Sequence, residues 1–113
     1  MDHDIPILKK IYELYMKFHE YRRVVPKHDR HTIYEKAERI ILEIIEYTYS
    51  AGYTKSAHQG MFLEKVSAKL NILRLLVRLM KDTQTLDTKK YVVLQEIIDE
   101  IGRMLGGWLR SVR

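Results

Sequence analysis

The stretch Leu70-Asn71-Ile72-Leu73-Arg74-Leu75-Leu76-Val77-Arg78-Leu79-Met80-Lys81-Asp82 decides how the rest of the chain reads. At 100° per residue, Phe62, Val66, Leu70, Val77 and Met80 all fall within about 60° of Leu73, which makes one apolar helical face. Ala68, Ile72, Leu75 and Leu79 cluster at roughly 200° to 260°, nearly opposite, where a monomeric bundle would show polar residues. A helix that is apolar on two faces needs two partners: the core of its own fold, and a second molecule. Arg74, Arg78 and Lys81 lie between the faces at about 80° to 140°, and Lys65 and Lys69 flank the core face on its other side. The helix therefore carries a basic stripe beside an apolar one.

The same periodicity extends in both directions along the chain. Ile5, Leu8, Ile11, Tyr15 and Phe18 have three- and four-residue spacing, predicting a helix over about residues 4–24 that ends before Pro26. Ile33, Ala37, Ile40, Ile41 and Ile44 predict a second over about 27–51, with Gly52 as its stop. The third covers about 55–82 and opens at Ser56-Ala57-His58-Gln59, which has capping-box spacing. Thr83-Gln84-Thr85-Leu86 reads as a loop. Asp87 reads as N-cap of a fourth helix over about 87–111 that carries Tyr91, Leu94, Ile98, Ile101, Leu105 and Trp108. Four helices with short connections predict an all-α, up-down-up-down antiparallel four-helix bundle occupying the whole chain as one domain.

With 113 residues, one core of this kind can fold without staples. Cysteine is absent, so disulfides, thiolate metal sites and cysteine nucleophiles are excluded together. Met1-Asp2-His3-Asp4 is acidic where a secretory signal is basic, and no apolar run approaches the ~18 residues of a membrane span, so a cytoplasmic protein without membrane attachment is expected. The formal charge is +5, divided as +1 over residues 1–25, −1 over 26–53, +4 over 54–83 and +1 over 84–113. The third segment holds most of the excess, and a polyanionic partner is expected to meet it.

Catalytic apparatus is not visible. None of His3, His19, His28, His31 and His58 has Glu three residues before it, as a di-metal bundle site would require. His28 and His31 sit in a basic corner with Lys27 and Arg30, where a cation is repelled. There is no phosphate loop and no His-Glu-x-x-His, and Ser50, Ser56, Ser67 and Ser111 lack the glycines of a nucleophile elbow. We therefore expect no enzyme, no metal and no cofactor.

Near the end, Gly102-Arg103-Met104-Leu105-Gly106 has a spacing that lets helices approach closely, and Gly107 and Trp108 follow. Three helical glycines cost about 2 to 3 kcal/mol relative to alanine, which close packing must offset. The run Ile101-Gly102-Arg103-Met104-Leu105-Gly106-Gly107-Trp108-Leu109 resembles the signature of the accessory variability determinant proteins of diversity-generating retroelements. Pro26-Lys27-His28 resembles that family's basic turn, and Leu73-Arg74-Leu75-Leu76-Val77-Arg78-Leu79 resembles its pattern of two arginines four apart. A neighbouring family, encoded in intervening sequences of bacterial large-subunit ribosomal RNA, shares the bundle; the Gly-Gly-Trp ending and the paired arginines favour the retroelement branch.

The resemblance implies a homopentameric barrel with a positive surface that binds the retroelement's reverse transcriptase and its template RNA or cDNA, supporting mutagenic retrohoming without chemistry of its own. Arg74 and Arg78 match basic positions of the family motif. With Lys81, Lys65, Lys69, Lys27, Arg30, Arg103 and Arg110 they form the candidate polymerase and nucleic-acid contacts. Ile72, Leu75, Leu79, Gly102, Gly106 and Gly107 form the candidate oligomer interface. The alternative is a structural oligomeric module of the intervening-sequence type, without a direct nucleic-acid role.

Overall fold

A computed structural model describes residues 5–113; the start of the first expected helix at Asp4, and the acidic Met1-Asp2-His3-Asp4, lie outside the described residues. Four long helices form the bundle: α1 (Pro6–Tyr21), α3 (Ile33–Tyr53), α4 (Ser56–Asp82) and α5 (Thr88–Val112), with a one-turn α2 (Lys27–Arg30) in the first corner. Each packs against its neighbour in sequence, and α5 closes on α1. Strands are absent among the described residues. Ile11, Leu14 and Phe18 from α1, Ile40, Ile41 and Ile44 from α3, Leu63, Leu73 and Met80 from α4, and Leu94 and Ile98 from α5 are fully buried between them.

The first two helices differ from the sequence expectation at the corner. Instead of running to Val24, α1 tightens after Tyr21 into a 3-10 turn, Arg22–Val24, because the Arg22 N–H bonds to the His19 carbonyl. The Phe18 carbonyl is thereby left to accept from the Tyr34 hydroxyl on α3, whose ring stacks on Phe18 at 3.9 Å between centroids. The second segment is not continuous from Lys27 to Ala51. Thr32 interrupts it by turning its hydroxyl to the carbonyls of His28 (3.1 Å) and Asp29 (3.5 Å), a local bond that competes with helix formation. Arg30 braces the corner by donating to the carbonyls of Val25 (2.9 Å) and Arg23 (3.1 Å).

Two further expectations are corrected. Gly52 does not stop its helix, which runs to Tyr53; a Cβ at Gly52 would collide with Ile5, so the glycine is there for close approach of α1. Ser56 is the first helical residue, not a cap, and Gln59 donates to the Ala51 carbonyl at the end of α3 (3.0 Å). Tyr15, Ile33, Phe62, Tyr91 and Trp108 are half-buried at the edge of the core. Asp87 caps α5 by accepting from the Lys90 N–H at 2.8 Å. The loop before it puts Gln84 in the left-handed region at φ 62°, and buries Thr85 and Leu86.

Burial pushes the Tyr34 hydroxyl far above its usual pKa, so it remains a donor at every accessible pH. Tyr34→Phe leaves the Phe18 carbonyl without its partner and should cost about 1 to 3 kcal/mol in urea unfolding. Thr48 Oγ1, buried with no hydrogen-bond partner among the described residues, supplies the contrast: Thr48→Val should stabilise the fold by about 1 kcal/mol in the same assay. The backbone hydrogen bond from Lys90 holds the Asp87 carboxyl below its ordinary pKa. Its stabilising contribution is therefore present above the unfolded-state value and is lost as pH falls through the lowered one. Asp87→Ala should destabilise the protein in neutral urea titrations and change little in strong acid, where the wild-type carboxyl is already protonated.

Candidate functional site

Helix α4 presents the apolar and basic stripes that its sequence describes, on different flanks. Its outer face carries Met61, Lys65, Ala68, Ile72, Leu75 and Leu79 at alternating four- and three-residue steps, the spacing of a coiled-coil seam. Leu75 is 67% exposed, Met61 55%, and Ile72 and Leu79 45% each. An isolated exposed leucine needs no explanation. A heptad-spaced row of them forms a ridge that another helix can pack against.

The basic residues are more heavily engaged than their spacing suggests. Arg74 reaches across to α5, lies over Gly102, and forms an ion pair with Asp99, which Gln95 also contacts at 3.3 Å. A Cβ at Gly102 would stand 2.7 Å from the Arg74 guanidinium, so this glycine is what lets the arginine lie flat. Arg78 pairs with Asp82 on its own helix at 3.4 Å, Lys69 with Glu43 of α3 at 3.4 Å, and Arg103 with Glu100. Lys81 and Lys65 each stand 5.2 Å from a ring centroid, Tyr91 and Tyr47 respectively, with the ammonium still able to meet an anion. Lys27 and Arg110 are exposed and have no ion pair among the described residues.

Grouping by space rather than by segment relocates the charge. The fold brings residues 17–39 and 78–90 to one end of the bundle: the Thr85 hydroxyl bonds the Asp29 carboxylate at 3.0 Å, and Lys17 and Lys90 both stand 5.7 Å from the Tyr21 ring centroid. Those two stretches hold eleven Lys and Arg against six Asp and Glu, a balance of +5 out of the +7 carried by residues 5–113. Arg23, Lys27, Lys36 and Lys89 are exposed there without an ion pair among the described residues. Sequence reasoning named Lys27 and Arg30 in this corner but missed Arg23, Lys36 and Lys89, which only the folding-back of α5 beside α1 brings into one patch. The signal available was the run of Arg22, Arg23, Lys27 and Arg30 around a proline.

Across the corner, Glu38 accepts from the Tyr15 hydroxyl at 3.0 Å and pairs with Arg22 at 3.3 Å, so α1 and α3 are held together at the root of the basic end. The bond to Glu38, more than burial, raises the Tyr15 pKa. No group of three His, Cys, Asp or Glu side chains able to hold a metal occurs among the described residues, and no helix there is long and apolar enough to cross a membrane.

The glycines of α5 divide in two. Gly102 and Gly106 line a groove of about 470 Å³ between α4 and α5, with Ser67, Asn71 and Arg74 on its far wall. At Gly106 the nearest neighbour of an added Cβ is the Arg110 side chain at 3.5 Å, and at Gly107 at 3.9 Å, so nothing in the chain itself demands glycine there. Gly106→Ala should therefore raise the melting stability of the isolated subunit by up to about 1 kcal/mol, while Gly52→Ala should lower it, read by paired thermal and urea unfolding.

A family model described as bAvd-like matches residues 5–112. No curated protein matches the chain.

Proposed function

Because the chain belongs to the bAvd-like family, the accessory variability determinant type, we propose that it is a non-catalytic accessory subunit of a diversity-generating retroelement. In this role it binds the element's reverse transcriptase and its template RNA or cDNA in the cytoplasm and supports mutagenic retrohoming. The observation that carries the reading, beyond the family match, is the gathering of a balance of +5 at one end of the bundle. Lys27 and Arg30 of the corner, with Arg78 and Lys81 at the end of α4, are the central contacts of that surface; Lys65, Lys69, Arg74, Arg103 and Arg110 extend it along the flanks. The outer face of α4, through Ile72, Leu75 and Leu79, joins copies into a homopentamer; Gly102 and Gly106 in the α4–α5 groove, and Gly107 beside Ile5 and Gly52, are further candidate contacts.

A polyanion held by phosphate contacts releases counterions, so its affinity falls with salt. Four contacts to single-stranded RNA at a slope of about −0.7 each predict roughly a fifty-fold weakening between about 50 and 200 mM salt. Fluorescence anisotropy on an RNA oligonucleotide should show this fall. Lys27→Glu with Lys89→Glu should weaken binding further and flatten the slope; an affinity indifferent to salt would overturn the nucleic-acid half of the reading.

A second reading is favoured by one observation: Lys69, Arg74, Arg78 and Arg103 already have carboxylate partners within the chain. On that reading the protein is a structural oligomeric module whose charges serve its own fold. Co-purification of the reverse transcriptase with Lys27→Glu, Lys89→Glu protein, undiminished from wild type, would select it.

A further inference from the structure

A cleft of about 650 Å³ opens beside the end of α1, where the chain tightens into the 3-10 turn and enters the first corner. Arg22, Arg23 and Arg30 line it together with Lys17, and Glu13 and Glu20 are the carboxylates on its wall. Neither carboxylate is left to neutralise the arginines: Glu13 is held by Lys10 at 3.1 Å and Glu20 by Lys17 at 3.3 Å. The excess in the cleft is therefore guanidinium charge.

Guanidinium groups gathered around one cavity repel each other, and the chain offsets only part of that. Arg22 is half-buried and gives one bond, to Glu38 at 3.3 Å. Arg30, also half-buried, gives two, to the carbonyls of Val25 at 2.9 Å and Arg23 at 3.1 Å. A guanidinium carries five N–H donors, so four on Arg22 and three on Arg30 have no acceptor among the described residues. Arg23 is exposed, and its side chain has neither an ion pair nor a hydrogen bond among those residues. Two heads are thus held in place with donors to spare, and the third is unengaged. The carbonyls at this helix end, which repel an anion when unpaired, are occupied. That of Phe18 accepts from the Tyr34 hydroxyl, that of His19 from the Arg22 N–H and that of Arg22 from the Val25 N–H, while Arg30 takes those of Arg23 and Val25.

We propose that this cleft is a binding site for a compact, multiply charged phosphate group, a phosphomonoester or a diphosphate. It goes beyond the surface described under the function above, which meets the phosphodiesters of a strand, each with a single charge. A phosphomonoester carries nearly two charges and three free oxygens on one phosphorus, and arginine forks match such oxygens in pairs. Because Arg22 and Arg30 are already fixed by their bonds within the chain, little side-chain freedom is lost when the ligand binds. Two sources carry this group, the phosphorylated end of a nucleic-acid strand and a free small phosphate. Of the three arginines only Arg30 belongs to the strand-binding surface, so the two activities can be separated through Arg23.

Isothermal calorimetry with pyrophosphate, at an ionic strength held constant with sodium chloride, tests this. The wild type should bind one pyrophosphate per subunit. Arg23→Gln should weaken that binding about tenfold, the equivalent of one charge-assisted hydrogen bond. Met16→Glu, which sets a carboxylate on the cleft wall at an exposed position, should abolish it. Lys55→Gln removes the same charge from the exposed surface at the other end of the bundle and should change nothing. Circular dichroism verifies that all three variants stay helical. Matched RNA oligonucleotides with a 5′-phosphate or a 5′-hydroxyl then separate the sources: a preference for the phosphorylated strand that Arg23→Gln removes identifies a strand end, and pyrophosphate binding without such a preference identifies a free phosphate. Pyrophosphate that gives no saturable heat overturns the proposal, as does binding that Arg23→Gln and Met16→Glu leave intact. Salt-sensitive RNA binding that persists in either case leaves the nucleic-acid reading standing.

Discussion

A tyrosine hydroxyl buried beyond the reach of water must find an acceptor inside the protein, and the corner of this fold is built around that requirement. Tyr34 is fully buried, and the acceptor it takes is the Phe18 carbonyl, one that a continuing α-helix would have used for the Arg22 N–H. Because Arg22 bonds to His19 instead, α1 tightens and ends, and the chain turns through Val25 and Pro26 toward α3. The stacked Phe18 and Tyr34 rings fill the space beneath the turn. With the turn fixed, Arg30 can reach the carbonyls of Arg23 and Val25, and Asp29 can meet Thr85 from the far loop. The basic end of the bundle is thus a consequence of where one hydroxyl finds its partner.

The helices themselves were legible because apolar periodicity is a property of neighbours in sequence. Leu70, Leu73, Val77 and Met80 are buried as their spacing requires, and the Asp87 cap follows from a single side chain placed before a helical run. The errors fall where tertiary partners override local pattern. Gly52 reads as a helix stop from its neighbours, but it is a contact surface for Ile5, forty-seven positions away. Ser56 and Gln59 have the right separation for a capping box, yet Gln59 finds a better acceptor at Ala51. The interruption at Thr32 depends on a side-chain bond that propensity cannot foresee.

The exposed apolar and basic surfaces were legible in kind more than in place. The exposed face of α4 can be read from a helical wheel, since it needs only one helix. Met61 extends it by one heptad. Exposed apolar side chains shared between helices could not be read the same way: Tyr12 and Met16 are unremarkable on α1 alone, as are Leu42 and Tyr49 on α3. The intrachain partners of long basic side chains were hidden for the converse reason. Arg74 looks free on a wheel, but a wheel contains no α5 and therefore no Asp99.

The bundle is about twice as long as it is wide, 43 × 23 × 20 Å, and most of the excess charge of the described residues sits at one tip. Its centre of charge is therefore displaced from its centre of mass, and an external electric field exerts a torque on it as well as a pull. Near a polyanion the molecule rotates before it arrives, tip first, so fewer encounters are spent in unproductive orientations. Added salt shortens the distance over which that rotation begins, since the field is screened within about 8 to 10 Å at physiological ionic strength, less than a quarter of the bundle's own length. The shape of the charge, as distinct from its amount, then governs how quickly a partner is captured.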